Sequence, residues 1–138
     1  MIAKIPKILA IGKASQDVFL QSNKDFKPYT HKGVQYEQLP LGKKIHIDNI
    51  TYSTGGNATN VAVTFARQGL HSRYAWTVGT DTISHVILAD LDKENIDTSG
   101  VKHDEDYQTS YSTILLAPNG ERTVLNYIGT VIDDHSEP

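Results

Sequence analysis

The chemistry this chain can do is concentrated in Gly55-Gly56-Asn57 and Asn60. Two residues without Cβ let a ligand approach the backbone, and the first N–H groups of a following helix have no partners inside it. Asn57 and Asn60, three apart on a first helical turn, can offer amide donors and acceptors to one object, and amides suit hydroxyl groups. The same residues also fit a plain strand-to-helix connection in which the glycines serve the turn and an Asn caps, and the pattern leaves both readings open. Asp17 is a further candidate. It follows the apolar run Lys7 to Gly12 and stands near the carboxyl end of a predicted strand, where ligands of open α/β sheets gather. A turn or cap carboxylate is its alternative reading.

The elements that must position these groups follow from periodicity. Val61, Val63, Phe65 and Ala66 predict a helix from about Ala58 to Gln68, with Gly69 at the left-handed C-cap position. Lys7 to Gly12 is a continuous apolar run suited to a central strand buried on both faces of a parallel sheet. Lys44 to Asn49 alternates, Ile45 and Ile47 against His46 and Asp48, and predicts a strand with one solvated face. Ser72 to Gly79 reads as a second sheet strand with Trp76 in the core, and Thr82 is the hydroxyl N-cap of a helix ending near Asn95. Between Asn23 and Gly42 the expectation is loop with one or two short strands. Ser112 to Ala117 and Glu121 to Ile128 form a hairpin through Pro118-Asn119-Gly120, the Asn-Gly pair being tolerant of positive φ at both residues. Strand, helix, strand, helix predicts an α/β class with right-handed crossovers.

Composition narrows the partners. The 138 residues, 38% hydrophobic, are enough for one domain. Thirteen basic and sixteen acidic residues give a formal charge of −3. No basic block follows a phosphate backbone, so nucleic acid is not an expected partner. The chain has no cysteine, hence no disulfide and no thiolate metal site, which suits a reducing, cytoplasmic setting. The apolar run Ile8 to Ile11 is too short for a signal or spanning segment, and a soluble chain without membrane association is expected. Walker A, G-x-G-x-x-G, G-x-S-x-G and H-E-x-x-H patterns are missing, and the six histidines are too dispersed to predict a metal site. The polar tail Asp133 to Pro138 is expected to add no further element.

Taken together, the motifs resemble the amino-terminal half of the ribokinase-like (PfkB) family of sugar and nucleoside kinases. Gly12 with Asp17 resembles the family's first strand and sugar-binding aspartate, Gly42-Lys43 its Pro-Gly-Glu-type turn, and Gly55-Gly56-Asn57-Ala58-Thr59-Asn60-Val61-Ala62 its first signature. Ala66-Arg67-Gln68-Gly69, Val78-Gly79-Thr80-Asp81, Asp97-Thr98-Ser99-Gly100-Val101, Thr109 and Gly120-Glu121-Arg122 follow in the family's order. The resemblance implies the amino-terminal part of a three-layer parallel-sheet α/β domain. Its small β lid would be drawn from about 15–50 and 107–128, and the carboxy-terminal nucleotide-binding part is absent from these 138 residues. It implies a sugar or nucleoside held by Asp17, Gly55, Gly56, Asn57 and Asn60, and a homodimer through the lid.

ATP and Mg²⁺ are implied for the complete enzyme, with neither expected to be held by this chain alone. The family's base and anion hole belong to a later Asp-Thr-x-Gly-Ala-Gly-Asp motif, which this sequence does not contain. Asp97-Thr98-Ser99-Gly100 continues into Val101-Lys102-His103 and is not that motif, so no catalytic residue is assigned. Ser15 and Gly129-Thr130-Val131 depart from ribokinase residues, and ribose is one candidate among sugars. The leading expectation is the substrate-binding portion of an ATP-dependent kinase. The alternatives are a non-catalytic sugar-binding or dimerisation module and a truncated fragment without independent activity.

Overall fold

The computed structural model describes residues 5–131, so Lys4 and the tail Asp133 to Pro138 lie outside the described residues. In chain order the elements are β1 (Lys7–Ile11), β2 (Ser15–Gln21), β3 (Tyr29–His31), β4 (Val34–Tyr36), β5 (Asn49–Gly55), α1 (Asn57–Arg67), β6 (His71–Ala75), β7 (Thr77–Val78), α2 (Thr82–Lys93), β8 (Lys102–His103), β9 (Ser110–Leu116) and β10 (Arg122–Tyr127). The chain divides into two compact units. The first takes Met1–Gln16, Thr54–Tyr111 and Tyr127–Pro138, and the second takes Asp17–Ser53 and Ser112–Asn126.

The first unit is α/β. β1 lies parallel to β6, with Lys7 opposite His71 and Ile11 opposite Ala75. On the other side of β6, Asp97 bridges to Arg73, and β7 pairs in parallel with β8. Among the described residues β6 is therefore the middle strand and β1 has a neighbour on one side only. This corrects the expectation of a central strand buried on both faces. Ala10 is 6% exposed and packs in the core, whereas Leu9 is 54% and Ile11 64% exposed. A continuous apolar run specifies burial of one face and leaves the other undetermined.

The core gathers Ala10, Ala14, Ala58, Ala62, Tyr74, Ile87, Leu91 and Ile96, with Trp76 partly buried against it. Small residues on α1 let the helix lie close to the strands. Both helices end in the same way. Gly69 (φ 83) and Asn95 (φ 57) take left-handed conformations. Leu70 N–H then donates to Phe65 O and Gly69 N–H to Ala66 O, while Ile96 N–H donates to Leu91 O and Asn95 N–H to Asp92 O. These paired bonds satisfy the last carbonyls of each helix.

The N-cap of α2 is Asp81, one residue before the expected Thr82. Its carboxylate accepts from Ser84 N–H at 2.7 Å and Ser84 Oγ at 2.8 Å through one oxygen, and from Thr109 N–H at 3.2 Å through the other. The buried hydroxyls of Ser84 and Thr109 lie 2.6 Å apart. A carboxylate reaches two donors on α2 and a third on a distant segment, which a threonine hydroxyl cannot. Gly79 closes the site, because a Cβ there would meet Tyr107 O at 2.4 Å.

The second unit holds the short hairpin β3–β4, where Tyr29 and Tyr36 stack at 5.5 Å, and most of a four-stranded sheet ordered β10-β9-β2-β5. Val18, Phe26, Ile114 and Leu115 are buried there. The expected strand over Lys44 to Asn49 does not form; the ladder strand starts at Asn49. His46 N–H is instead taken by the Asp25 carboxylate at 3.1 Å, and only Asp48 N–H reaches the neighbouring strand, donating to Gln21 O at the end of β2 at 2.8 Å. The β9–β10 hairpin forms as expected, but Gly120 (φ 86) alone of its turn has positive φ. Ala117 N–H donates to Glu121 O and Gly120 N–H to Ala117 O, so the turn is the three-residue kind that ends in a left-handed glycine.

The Asp81 network sets a stability expectation. Burial opposes the Asp81 charge, yet the hydrogen bonds from Ser84 and Thr109 outweigh it and hold its pKa below the ordinary value. Asp81→Ala should lose about 1–2 kcal/mol at neutral pH, the range for an N-cap. Because the folded pKa is depressed, that stabilisation is present above about pH 4 and is lost as pH falls through the folded value. In urea titrations from pH 7 to pH 3, the gap between wild type and variant should narrow in acid. A gap constant down to pH 3 would contradict the assignment.

Candidate functional site

At the join of β5 and α1, Gly56 has φ 105 and ψ 141. A Cβ there would lie 2.5 Å from Lys13 O, 3.0 Å from Ala14 Cα and 3.2 Å from Thr59 Oγ1. Two backbone segments touch at this point, and only glycine meets both the torsion and the gap. The loop beneath the turn, residues 12–14, is tied to β6: Tyr74 OH donates to Gly12 O at 2.8 Å and Gly12 N–H to Ala75 O at 3.4 Å. Burial, and secondly proximity to Tyr107, push the Tyr74 phenol pKa up, so Tyr74 stays a donor through the physiological range.

Thr59, 1% exposed, places its hydroxyl 2.7 Å from Gly55 O and 2.8 Å from Gly56 O. Asn60 N–H also donates to Gly56 O, at 3.0 Å. The carbonyls of the turn are thus taken up from inside. Gly56 brings no capping side chain, and no acidic residue stands in the first turn of α1, so nothing in the helix itself offsets its positive amino end. The amino end of α1 is thus left without a capping side chain and is flanked by the exposed side chains of Asn57 and Asn60. It can bind oxygen acceptors, and the two amides can both give and receive hydrogen bonds from hydroxyls.

Gly55, Gly56, Asn57 and Asn60 are therefore held together, in the first unit, over Lys13 and Ala14. Asp17 is half-buried on β2 and belongs to the second unit. Sequence reasoning missed Thr59, whose position four residues after Gly55 suits a hydroxyl bonding back to a carbonyl. It also missed the approach of Lys13 and Ala14, for which the sequence holds no signal.

Asp97 is engaged structurally. Bonds from the Ser99 hydroxyl and N–H, then from Arg73, hold its carboxyl at about 2, so it stays ionised. Among the described residues no group of three or more His, Cys, Asp or Glu side chains could hold a metal ion. No metal or nucleotide is assigned to a residue here. No helix among the described residues is long and apolar enough to cross a membrane.

Residues 6–134 match the family described as pfkB family carbohydrate kinase. Among curated relatives, the Arabidopsis thaliana protein named Probable fructokinase-7 is 33% identical over 101 residues, which cover 73% of this chain and 27% of that protein. Fructokinase-2 of Solanum habrochaites is 27% identical over 103 residues, 75% of this chain and 29% of that one. A solved ribokinase of Cryptococcus neoformans in complex with ADP superposes with a TM-score of 0.64 at 21% identity, covering 89% of this chain and 34% of that one. The chain therefore spans less than a third of the length of these curated relatives. The ribokinase likeness extends the fold: an α/β arrangement of parallel strands with small mixed sheets.

Replacing Gly56 by alanine forces a left-handed torsion on a residue with Cβ and drives it into the Lys13 carbonyl. A loss of about 2–4 kcal/mol is expected, from backbone strain and overpacking together. Urea unfolding would measure it, and a variant within 0.5 kcal/mol of wild type, roughly the scatter of neutral surface changes, would show that the turn is not constrained as described.

Proposed function

The chain belongs to the pfkB family of carbohydrate kinases, and on that premise we propose that it is the substrate-binding part of an ATP-dependent kinase acting on a hydroxyl of a sugar or nucleoside. The observation that carries the reading is the Gly55–Asn60 turn, uncapped by any side chain and flanked by two exposed amides. In this reading the turn N–H groups and the Asn57 and Asn60 amides bind substrate hydroxyls. Asp17, assigned from the sequence, accepts hydroxyl hydrogen bonds through its carboxylate.

ATP use is a property of the family's solved members, which include a fructokinase from Xylella fastidiosa with bound ATP. Phosphoryl transfer depends on positioning and on stabilising charge, and the residues of this chain supply the positioning of the acceptor. No residue here is assigned as base or anion hole, because the Asp-Thr-x-Gly-Ala-Gly-Asp motif is not in the sequence. Asp17–Ser53 and Ser112–Asn126 are proposed as the lid. Exposed apolar side chains there, Ile50, Tyr52, Val124 and Leu125, support a second copy of the chain as its partner. A cytoplasmic setting is proposed with it from the cysteine-free composition.

Calorimetric titration with fructose and ribose tests the binding assignment. One sugar should bind, and Asp17→Ala should weaken it by about 1.5–3 kcal/mol, the range for a hydrogen bond to a charged group. Unchanged affinity in a variant with native circular dichroism would remove Asp17 from the site. The 138-residue chain with ATP and Mg²⁺ should not phosphorylate either sugar, and turnover that persists after host kinases are removed would show that it carries its own catalytic machinery. Sedimentation of the wild type against Tyr52→Lys tests the lid contact: a dimer converted to monomer is the expected outcome, and a monomeric wild type rejects it.

A further inference from the structure

We propose that Lys13 is a positioning residue for the Gly55–Asn60 turn: its ammonium, donating to Thr130 O at 2.8 Å, holds the loop on which Gly56 is seated. The proposal rests on the reading of that turn as the substrate site. Gly56 lies so close to Lys13 O and Ala14 Cα that a Cβ would not fit between them, so a displacement of the loop displaces the turn. The bonds from Tyr74 and to Ala75 fix Gly12, at the start of the loop. The Lys13 side chain fixes the next residue, to a segment 117 residues away in sequence.

The acceptor is itself anchored. Thr130 N–H donates to Gln108 O at 2.9 Å, and Thr130 Oγ1 accepts from Gln108 N–H at 2.8 Å. Gly129, at φ 71, presses its backbone on that of 108–110, where a Cβ would come within 2.2 Å of Gln108 O. Gln108 adjoins Thr109, which belongs to the Asp81–Ser84 network at the start of α2. Lys13 thus ties the substrate turn to the base of α2. A bond from an ammonium to a carbonyl is stronger than a neutral one. The side chain of this half-buried lysine holds Thr130 while its backbone lies under Gly56.

The test compares Lys13→Met, which keeps the apolar stem, with Lys13→Arg, which keeps charge and donors. Two readouts are used, fructose affinity by calorimetry and amide resonances in ¹H–¹⁵N spectra. K13M should weaken fructose binding about tenfold, equivalent to one charge-assisted hydrogen bond, with a thermal midpoint close to wild type. It should also move the amides of Gly55, Gly56 and Asn57 together with that of Thr130, and K13R should restore both readouts. If Thr130 moves while Gly55–Asn57 stay in place, or if arginine recovers neither readout, the proposal is overturned. Absence of fructose binding by the wild type strikes the substrate reading instead, and the amide shifts then decide the link on their own. Should K13M not fold, Lys13→Gln gives the same two readouts.

Discussion

The contact between Gly56 and the Lys13-Ala14 backbone is the constraint on which the site depends. Two main chains come closer than a methyl group permits, so the torsion of the turn, the direction of the α1 amino end and the exposure of Asn57 and Asn60 are set together. Thr59 completes the arrangement from inside by engaging both glycine carbonyls. The geometry of the turn comes from a backbone conformation that its neighbours fix.

That conformation is supported by buried polar groups that are each given a partner. Tyr74, with no exposed surface, bonds its hydroxyl to Gly12 O, and the Ser84 and Thr109 hydroxyls are held by one another and by Asp81. Leaving such groups unpaired costs about 1–3 kcal/mol each, so these bonds act by specifying one arrangement more than by adding stability. The ion pairs at the far ends of the helices are exposed, including Arg67 with Glu94 and Lys93 with Asp90, and contribute little by comparison.

Membership of a kinase family and absence of its later catalytic motif from these residues are compatible once acceptor binding and phosphoryl transfer are treated as separable tasks. The first needs hydroxyl-matched polar groups on a fixed frame, the role proposed for Gly55–Asn60. The second needs charge stabilisation at the transferred group, for which no residue here is assigned.

The sequence by itself determined the α/β class, α1 and its glycine terminator, the α2 helix and the β9–β10 hairpin, because each rests on local periodicity or turn chemistry that a short window contains. The Gly-Gly-Asn stretch was legible as a turn with binding potential for the same reason. Tertiary structure decided what depends on residues far apart in the chain. It left Leu9 and Ile11 uncovered, since an apolar run carries no record of what faces it. It chose Asp81 over Thr82 as N-cap because Thr109 lies within the carboxylate's reach, and it left 44–48 outside any strand, with the His46 amide taken by Asp25. Above all it brought Lys13 and Ala14 to the turn, and Thr130 to the Lys13 ammonium. Gly56 reads in the sequence as freedom of torsion, but it is required by a neighbour more than forty residues away, and only the folded chain can show that contact.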